Sequence, residues 1–277
     1  LNDTDRWIIS RLNRTIKSVD NAYNNYKINE AIKLIYNFVR ADFCDWYIEF
    51  TKTRFYGNNL DDLHIVQSIS VYIMKEILKI LHPYCPFITE EIWSNFKTSN
   101  ESLLIITNWP KSNHKMINNK IESEIEILMD IIVAIRNIRA SLNVSPGKIA
   151  NLIIRGQKSK YYNLSKHKIF LKNMAKLDQI NIGEHETKPP KSATAVIKGL
   201  ELFVPLENLI NIDKEIERLE KQISDLNGRI GAVNKKLNNN NFINRAPKKI
   251  IQHEQNKRHL YEDDLLKLQN NLKSLKI

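Results

Sequence analysis

The sequence predicts a mainly α-helical protein: a helical bundle, a small α/β unit, and then an antiparallel coiled-coil hairpin. Three observations predict it. Apolar residues recur at helical spacing through most of the first 141 residues. Glycine and proline are scarce, 7 and 8 in 277 residues, which favours long helices over turn-rich sheets. From Ile212 onward the chain carries a heptad repeat. The expected divisions are 1–142, 143–209 and 210–277.

The elements follow in order. Asp3 or Asp5 can cap a first helix, along which Trp7, Ile8, Leu12, Ile16, Val19, Tyr23 and Tyr26 recur. Asn29 can cap a second, whose stripe runs Ile32, Ile35, Val39, Phe43, Trp46, Tyr47 and Phe50 to an end near Gly57. A third spans about 61–81 and stops at HPYCP, where Pro83 and Pro86 remove donors. Thr89, Glu90 and Glu91 open a short fourth, and a fifth spans about 121–141.

The pattern then changes. SPGK (145–148) reads as a turn, IANLII (149–154) as a strand, and residues 161–175 as a basic helix. ATAVI (193–197) and LELFV (200–204) flank Lys198-Gly199 as a hairpin. In the tail, Ile212, Ile216, Leu219, Ile223, Leu226, Ile230, Val233 and Leu237 alternate spacings of four and three. After the polar break NNNNFINRAP, a second seam runs through Ile251, Tyr261, Leu265, Leu268, Leu272 and Leu275, interrupted by Glu254 and Arg258. Two seams around one break predict a helical hairpin whose arms each reach roughly 40 Å.

Charge is unevenly spread. The formal net charge is +11, yet residues 1–110 carry 12 basic and 13 acidic groups. Within the hairpin, residues 227–258 hold eight basic groups and one acidic group. A basic far end suits a phosphate backbone and adds nothing obvious to stability. Cys44 and Cys85 match no metal or disulfide spacing, which fits a reducing compartment and a cytoplasmic location. No stretch is apolar enough to suggest a membrane span, and the Leu1 start suggests a piece of a longer protein.

The stretch DFCDWYIEF (42–50) poses a catalytic question. Asp42, Asp45 and Glu49 share a helical face, but no histidine or glycine-rich loop adjoins them. We read them as a face meeting solvent, basic protein groups or another domain, and Cys44 as a small core residue. No catalytic residue is assigned. His82 with Cys85 supplies two potential ligands, too few for zinc, so no metal site is assigned.

Five strings then carry a family resemblance: RWIISRLNRTI (6–16), YKINEAIKLIYNFVRADFCDWYIEFTK (26–52), LHPYCPFITEEIW (81–93), IRNIRASLNVSPGK (135–148) and NFINRAPKKII (241–251). In this order, ending in a coiled-coil hairpin, they resemble the C-terminal portion of valyl-tRNA synthetases. Isoleucyl- and leucyl-tRNA synthetases share the bundle and the HPYCPF-like turn but do not usually carry the closing hairpin. The resemblance implies a bundle that binds the anticodon side of tRNA(Val) and an arm that packs against the corner of the D and T loops. The family's HIGH and KMSKS signatures do not occur in these 277 residues. The resemblance therefore implies no cofactor here, with ATP and Mg serving the full-length enzyme. It also implies a catalytic domain elsewhere on the same chain, no membrane partner, and a monomer.

Candidate RNA-binding residues in the bundle are Arg6, Arg11, Arg14 and Lys17 on helix one, Lys27 and Ile28 in the following loop with Tyr26, and Arg136 and Arg139 before SPGK. Each cation can instead be solvated or paired with a neighbouring acid. The family often has Phe where Ile28 stands. In the arm, the candidates are Arg245, Lys248 and Lys249 at the tip, with Arg229, Lys235, Lys236, Lys257 and Arg258 behind them. The run Arg155, Lys158, Lys160, Lys166, Lys168, Lys172 and Lys176 reads first as a solvated face. A different class of function remains open: a coiled-coil hairpin that grips a protein.

Overall fold

The computed structural model describes residues 1–157, 164–207, 209–239, 242, 244 and 246–276. It divides into two compact units, Leu1–Ile127 and Leu128–Ile277.

In the first unit, α1 spans Asp3–Asn24. Its cap is Asn2, not Asp3 or Asp5. The Asn2 side chain accepts from the Asp5 amide at 2.9 Å, and the Asp5 carboxylate accepts from the Asn2 amide at 3.1 Å. This reciprocal box leaves both aspartates in the first turn, where the helix dipole favours them. Trp7, Ile8, Leu12, Ile16 and Val19 are buried, as their spacing predicts.

The second expected helix is wound in three parts: α2 (Ile28–Asn37), a π-helical segment (Phe38–Tyr47) and α3 (Ile48–Phe55). Lys27 rather than Asn29 holds the cap position, with no side-chain bond. The π winding bonds residues five apart, so Phe38 and Phe43 both turn into the core. Val39 is only half-buried, and Cys44 is exposed rather than packed inside.

Helix α4 (Leu60–Leu81) is capped by Asn59. Helix α5 is Pro86–Phe96, three residues earlier than Thr89, because proline at the first helical position has no donor to lose. The following chain is strapped down. Glu90 accepts from the Leu104 and Ile105 amides, and Trp93 donates to the Ser102 carbonyl at 3.0 Å. Leu78, Trp93 and Leu104 form a small core beneath.

Lys75 reaches the Glu101 carboxylate at 2.6 Å. That bond, then the Thr98 amide, hold Glu101 down at about 2, from an ordinary 4.5. A depressed carboxylate contributes stability above its unfolded value and loses it as pH falls towards the folded one. Glu101→Gln should therefore flatten the fall in unfolding midpoint between about pH 4.5 and pH 2, read by urea titration at several pH values. An unchanged acid limb would remove Glu101 from the account.

The division between units falls within α6 (Asn119–Ser141). In the second unit, β1 is Ala150–Arg155 and β2 is Leu177–Gly183. Strand β3 is Ser192–Ile197 and β4 is Leu200–Pro205. The sheet order is β2-β1-β4-β3. Strands β1 and β2 are parallel and the other pairs antiparallel. Of the predicted basic helix at 161–175, residues 161–163 lie outside the described residues, and the rest forms a 3-10 turn at Leu164–His167 and then α7 (Lys168–Ala175). Lys158 and Lys160 lie outside the described residues. The β3–β4 hairpin turns on Lys198 (φ 48°) and Gly199 (φ 81°), the two positive φ values that a two-residue turn needs.

The arm follows as α8 (Ile212–Leu237) and α9 (Lys248–Lys276), packed together. It is antiparallel: Glu220 meets Lys276 at 2.7 Å and Lys236 meets Glu254 at 3.3 Å. Every seam position of α8 is buried or half-buried. Helix α9 also packs on β3. No helix among the described residues is long and apolar enough to cross a membrane. Among the same residues, no group of three or more His, Cys, Asp or Glu could hold a metal ion.

Candidate nucleic-acid interface

The arm holds its seam residues between two helices, which leaves most of its basic residues outward, although Glu215 and Glu254 are buried and Ile250, Leu260 and Leu266 are exposed. Arg229, Lys235 and Lys236 on α8, and Lys248 and Lys249 in the first turn of α9, are all exposed. Lys236 meets Glu254, but among the described residues no carboxylate pairs with Arg229, Lys235, Lys248 or Lys249. The first turn of α9 holds no acidic residue. Two lysines at the positive end of a helix dipole oppose helix stability. A free anion outside the protein would reverse the sign of that effect.

The other arm candidates are more committed. The Lys257 ammonium lies 5.8 Å from the Tyr261 ring centre, and Arg258 lies 3.7 Å from Glu262. The Arg258 Nε is covered and has no hydrogen-bond partner. Arg245 lies outside the described residues.

In the bundle the structure divides the candidates. Arg11 donates to Asp42 at 2.8 Å and lies 3.5 Å from Glu122. Burial works against its charge, but the two carboxylates outweigh it and hold the guanidinium above its ordinary value. Arg14 meets Glu122 at 2.9 Å. These two therefore clamp α1 to the π-helical segment and to α6, and are not free cations. Asp42 is thereby explained as a partner of a basic protein group. Glu49 pairs with Lys52.

Arg6 lies 4.0 Å from Asp3 and is exposed, as is Lys17. Lys27 lies 3.2 Å from Glu30. Ile28 is exposed beside it. Between them and α1 stands Tyr26, at 92% exposure and φ 57°. The turn is fixed by the Tyr26 amide donating to Tyr23 O at 2.9 Å and the Lys27 amide to Ala22 O at 2.8 Å. Behind it, Tyr23 stacks on Tyr84 with centroids 6.5 Å apart, and meets Trp109 edge-on at 5.7 Å. Tyr26 stood in the loop picked from the sequence, but its display could not be read there, because spacing does not reveal a left-handed φ.

Arg136 and Arg139 meet main-chain oxygens where neighbouring acids were one of the expected partners. Arg136 donates to the Met174 carbonyl at 3.1 and 3.2 Å. Arg139 donates to the Lys148 carbonyl at 2.7 Å and the Ser145 carbonyl at 3.2 Å, closing the SPGK turn from beneath.

Comparison with known proteins agrees with this geometry. Residues 5–154, more than half of the chain, match the anticodon-binding domain of tRNA ligases. Residues 211–276 match the valyl-tRNA synthetase tRNA-binding arm. The valine–tRNA ligase of Geobacillus stearothermophilus is 38% identical over 259 residues, covering 93% of this chain and 29% of the relative. That of Listeria innocua is 35% identical over 275 residues, covering 99% and 31%. That of Thermotoga maritima is 33% identical over 276 residues, again covering 99% and 31%. The chain thus spans about three tenths of the length of these relatives. With a helical bundle under the first match and an outward-charged hairpin under the second, the chain belongs to the tRNA ligases, as an anticodon-binding domain joined to an arm of the valyl-tRNA synthetase family.

Proposed function

We propose that this chain is the tRNA-holding portion of a valine–tRNA ligase. Its bundle takes the anticodon side of tRNA(Val), and its arm braces the elbow. The benefit to catalysis is positional, because holding the far side of the RNA fixes where the acceptor end lies. A catalytic domain elsewhere on the longer chain would attach valine, with ATP and Mg. The observation that carries this reading is the far half of the arm, where Arg229, Lys235, Lys248 and Lys249 stand outward with no carboxylate partner among the described residues. A protein-gripping hairpin would favour an apolar or mixed-charge rim instead.

In the bundle, the proposed contacts are Arg6, Lys17 and Lys27 for phosphates and Tyr26 as a platform for an unstacked base. Base–aromatic stacking contributes about 1–3 kcal/mol per base. The test is an RNA footprint on valine-accepting tRNA with a second tRNA as control. Protection should appear in the anticodon loop and the elbow, and Tyr26→Ala should remove the anticodon part alone. Equal protection of both tRNAs, or none in the elbow, would overturn the assignment.

A further inference from the structure

Among the described residues, Arg139 is the exception among the buried and half-buried arginines. Arg54, which is as deeply buried, meets Asp5 and Asp62. Half-buried Arg11, Arg155 and Arg218 meet Asp42, Glu201 and Glu215. Arg139 is only 9% exposed, yet among the described residues no carboxylate reaches it, and its Nη1 has no hydrogen-bond partner there. Its bonds to two carbonyls fix the guanidinium in place without neutralising it. Burial alone pulls it below its ordinary value, with no opposing acid. An uncompensated cation taken out of water is costly, and such groups ordinarily have a partner.

The surroundings supply a place for that partner. Arg139 lines an open cleft of about 520 Å³ formed by the last turns of α6, the residues before β1 and the end of α7. Arg136 and Lys176 line it too, as do Asn143 and Ser145. Among the described residues no Asp or Glu does. Asn143 (φ 48°) and Lys176 (φ 56°) both hold left-handed backbone there. Glycine would adopt that conformation at less cost than lysine, and strain of this kind collects at ligand sites. Among the described residues the lining of the cleft therefore holds three cations, two neutral hydrogen-bonding side chains and no Asp or Glu.

We propose that this cleft is an oxyanion site that seats one backbone phosphate of the bound tRNA, with Arg136, Arg139 and Lys176 supplying the charge. The inference rests on the reading of the chain as a tRNA binder. A planar guanidinium already oriented by carbonyl acceptors loses little further freedom when an oxyanion arrives. The site is distinct from the arm's far end and lies on the α/β side of the chain.

The test uses the whole chain. Arg139 also closes the SPGK turn, so its replacement alone would not separate binding from folding. Ala140 lines the same cleft and is exposed on α6, where Glu is a good helix former. Ala140→Glu should leave the circular dichroism unchanged. It should weaken tRNA binding by roughly three- to tenfold at 0.15 M salt and lower the salt slope by about 0.7–0.9. Lys176→Gln should move both quantities the same way. Phosphate-ethylation interference should show one phosphate whose modification weakens wild-type binding but leaves Ala140→Glu indifferent. Unchanged affinity in both variants, while Lys248→Gln with Lys249→Gln still weakens binding, would overturn the cleft and leave the tRNA reading standing. No salt-dependent tRNA binding by the wild-type chain would overturn both. Stabilisation of the chain by inorganic phosphate, lost in Ala140→Glu but with tRNA affinity intact, would assign the cleft to a free anion and overturn the RNA contact.

Discussion

Replacing Arg54 with Ala is expected to destabilise the bundle by about 3–5 kcal/mol, the usual result of stranding one member of a buried ion pair. Asp5 is fully buried, and the Arg54 side chain is 7% exposed. Their separation is 2.6 Å, and Arg54 reaches Asp62 as well at 2.7 Å. The Tyr47 hydroxyl donates to the same Asp5 oxygen at 3.1 Å. Burial, then the Asp5 charge, push the Tyr47 phenol far upward, so it remains a neutral donor. Without Arg54, Asp5 would keep one hydroxyl and one main-chain amide against a full negative charge. Asp5 also closes the capping box of α1, so the loss would spread from the core to a helix end. Arg54→Lys should fall between, because lysine keeps the charge but cannot fork to two carboxylates. Urea unfolding followed by circular dichroism measures the effect. A loss below about 1 kcal/mol for the alanine variant would mean that water readily reaches Asp5.

The arm should give the largest binding effect. Changing Arg229, Lys235, Lys248 and Lys249 together to Gln preserves helix-forming residues and leaves the seam untouched. If each contacts a phosphate, the slope of log affinity against log salt should fall by about 3–4. Affinity at 0.15 M salt should drop roughly a hundredfold or more. Fluorescence titration of labelled tRNA at four or five salt concentrations reads both numbers. The hairpin's helicity serves as the control. An unchanged slope would show that these cations face solvent in the complex, and the arm would lose its assigned role.

Legibility from sequence followed the range of the interaction. The seam of α8 was readable because its apolar spacing is local and repeats without error from Ile212 to Leu237. The β3–β4 hairpin was readable from Lys198-Gly199 between two short apolar runs. The π winding was not, because Phe38 and Phe43 lie five apart and a reader tuned to 3.6 residues per turn selects Val39 instead. Strand β2 was missed: of LDQINIG, only Leu177 and Ile180 are buried, too little alternation to signal a strand. Cys44 was assigned inward from residue type alone, since a free cysteine is usually buried, and the structure exposes it. The candidate site divided along the same line. The arm's free cations could be picked from local charge composition. The fate of Arg11 and Arg14 could not, since their partners lie 31 and 108 residues away in the chain. Arg139 was picked as a cation, but what makes it unusual is the absence of an acid around it in space.

Glu254 and Arg258 both sit inside the seam of α9, and Glu254 finds Lys236 on the opposite helix. A slip of α9 towards the base by one heptad, about 10 Å, would set that carboxylate against Arg229, which stands seven residues before Lys236 on the same face of α8. Charge therefore tolerates the neighbouring stagger, and what resists it is greasy overlap: Leu237, buried at the far end of α8, would lose the helix that covers it. The length of the lever is thus held by its last apolar rung rather than by its ion pair.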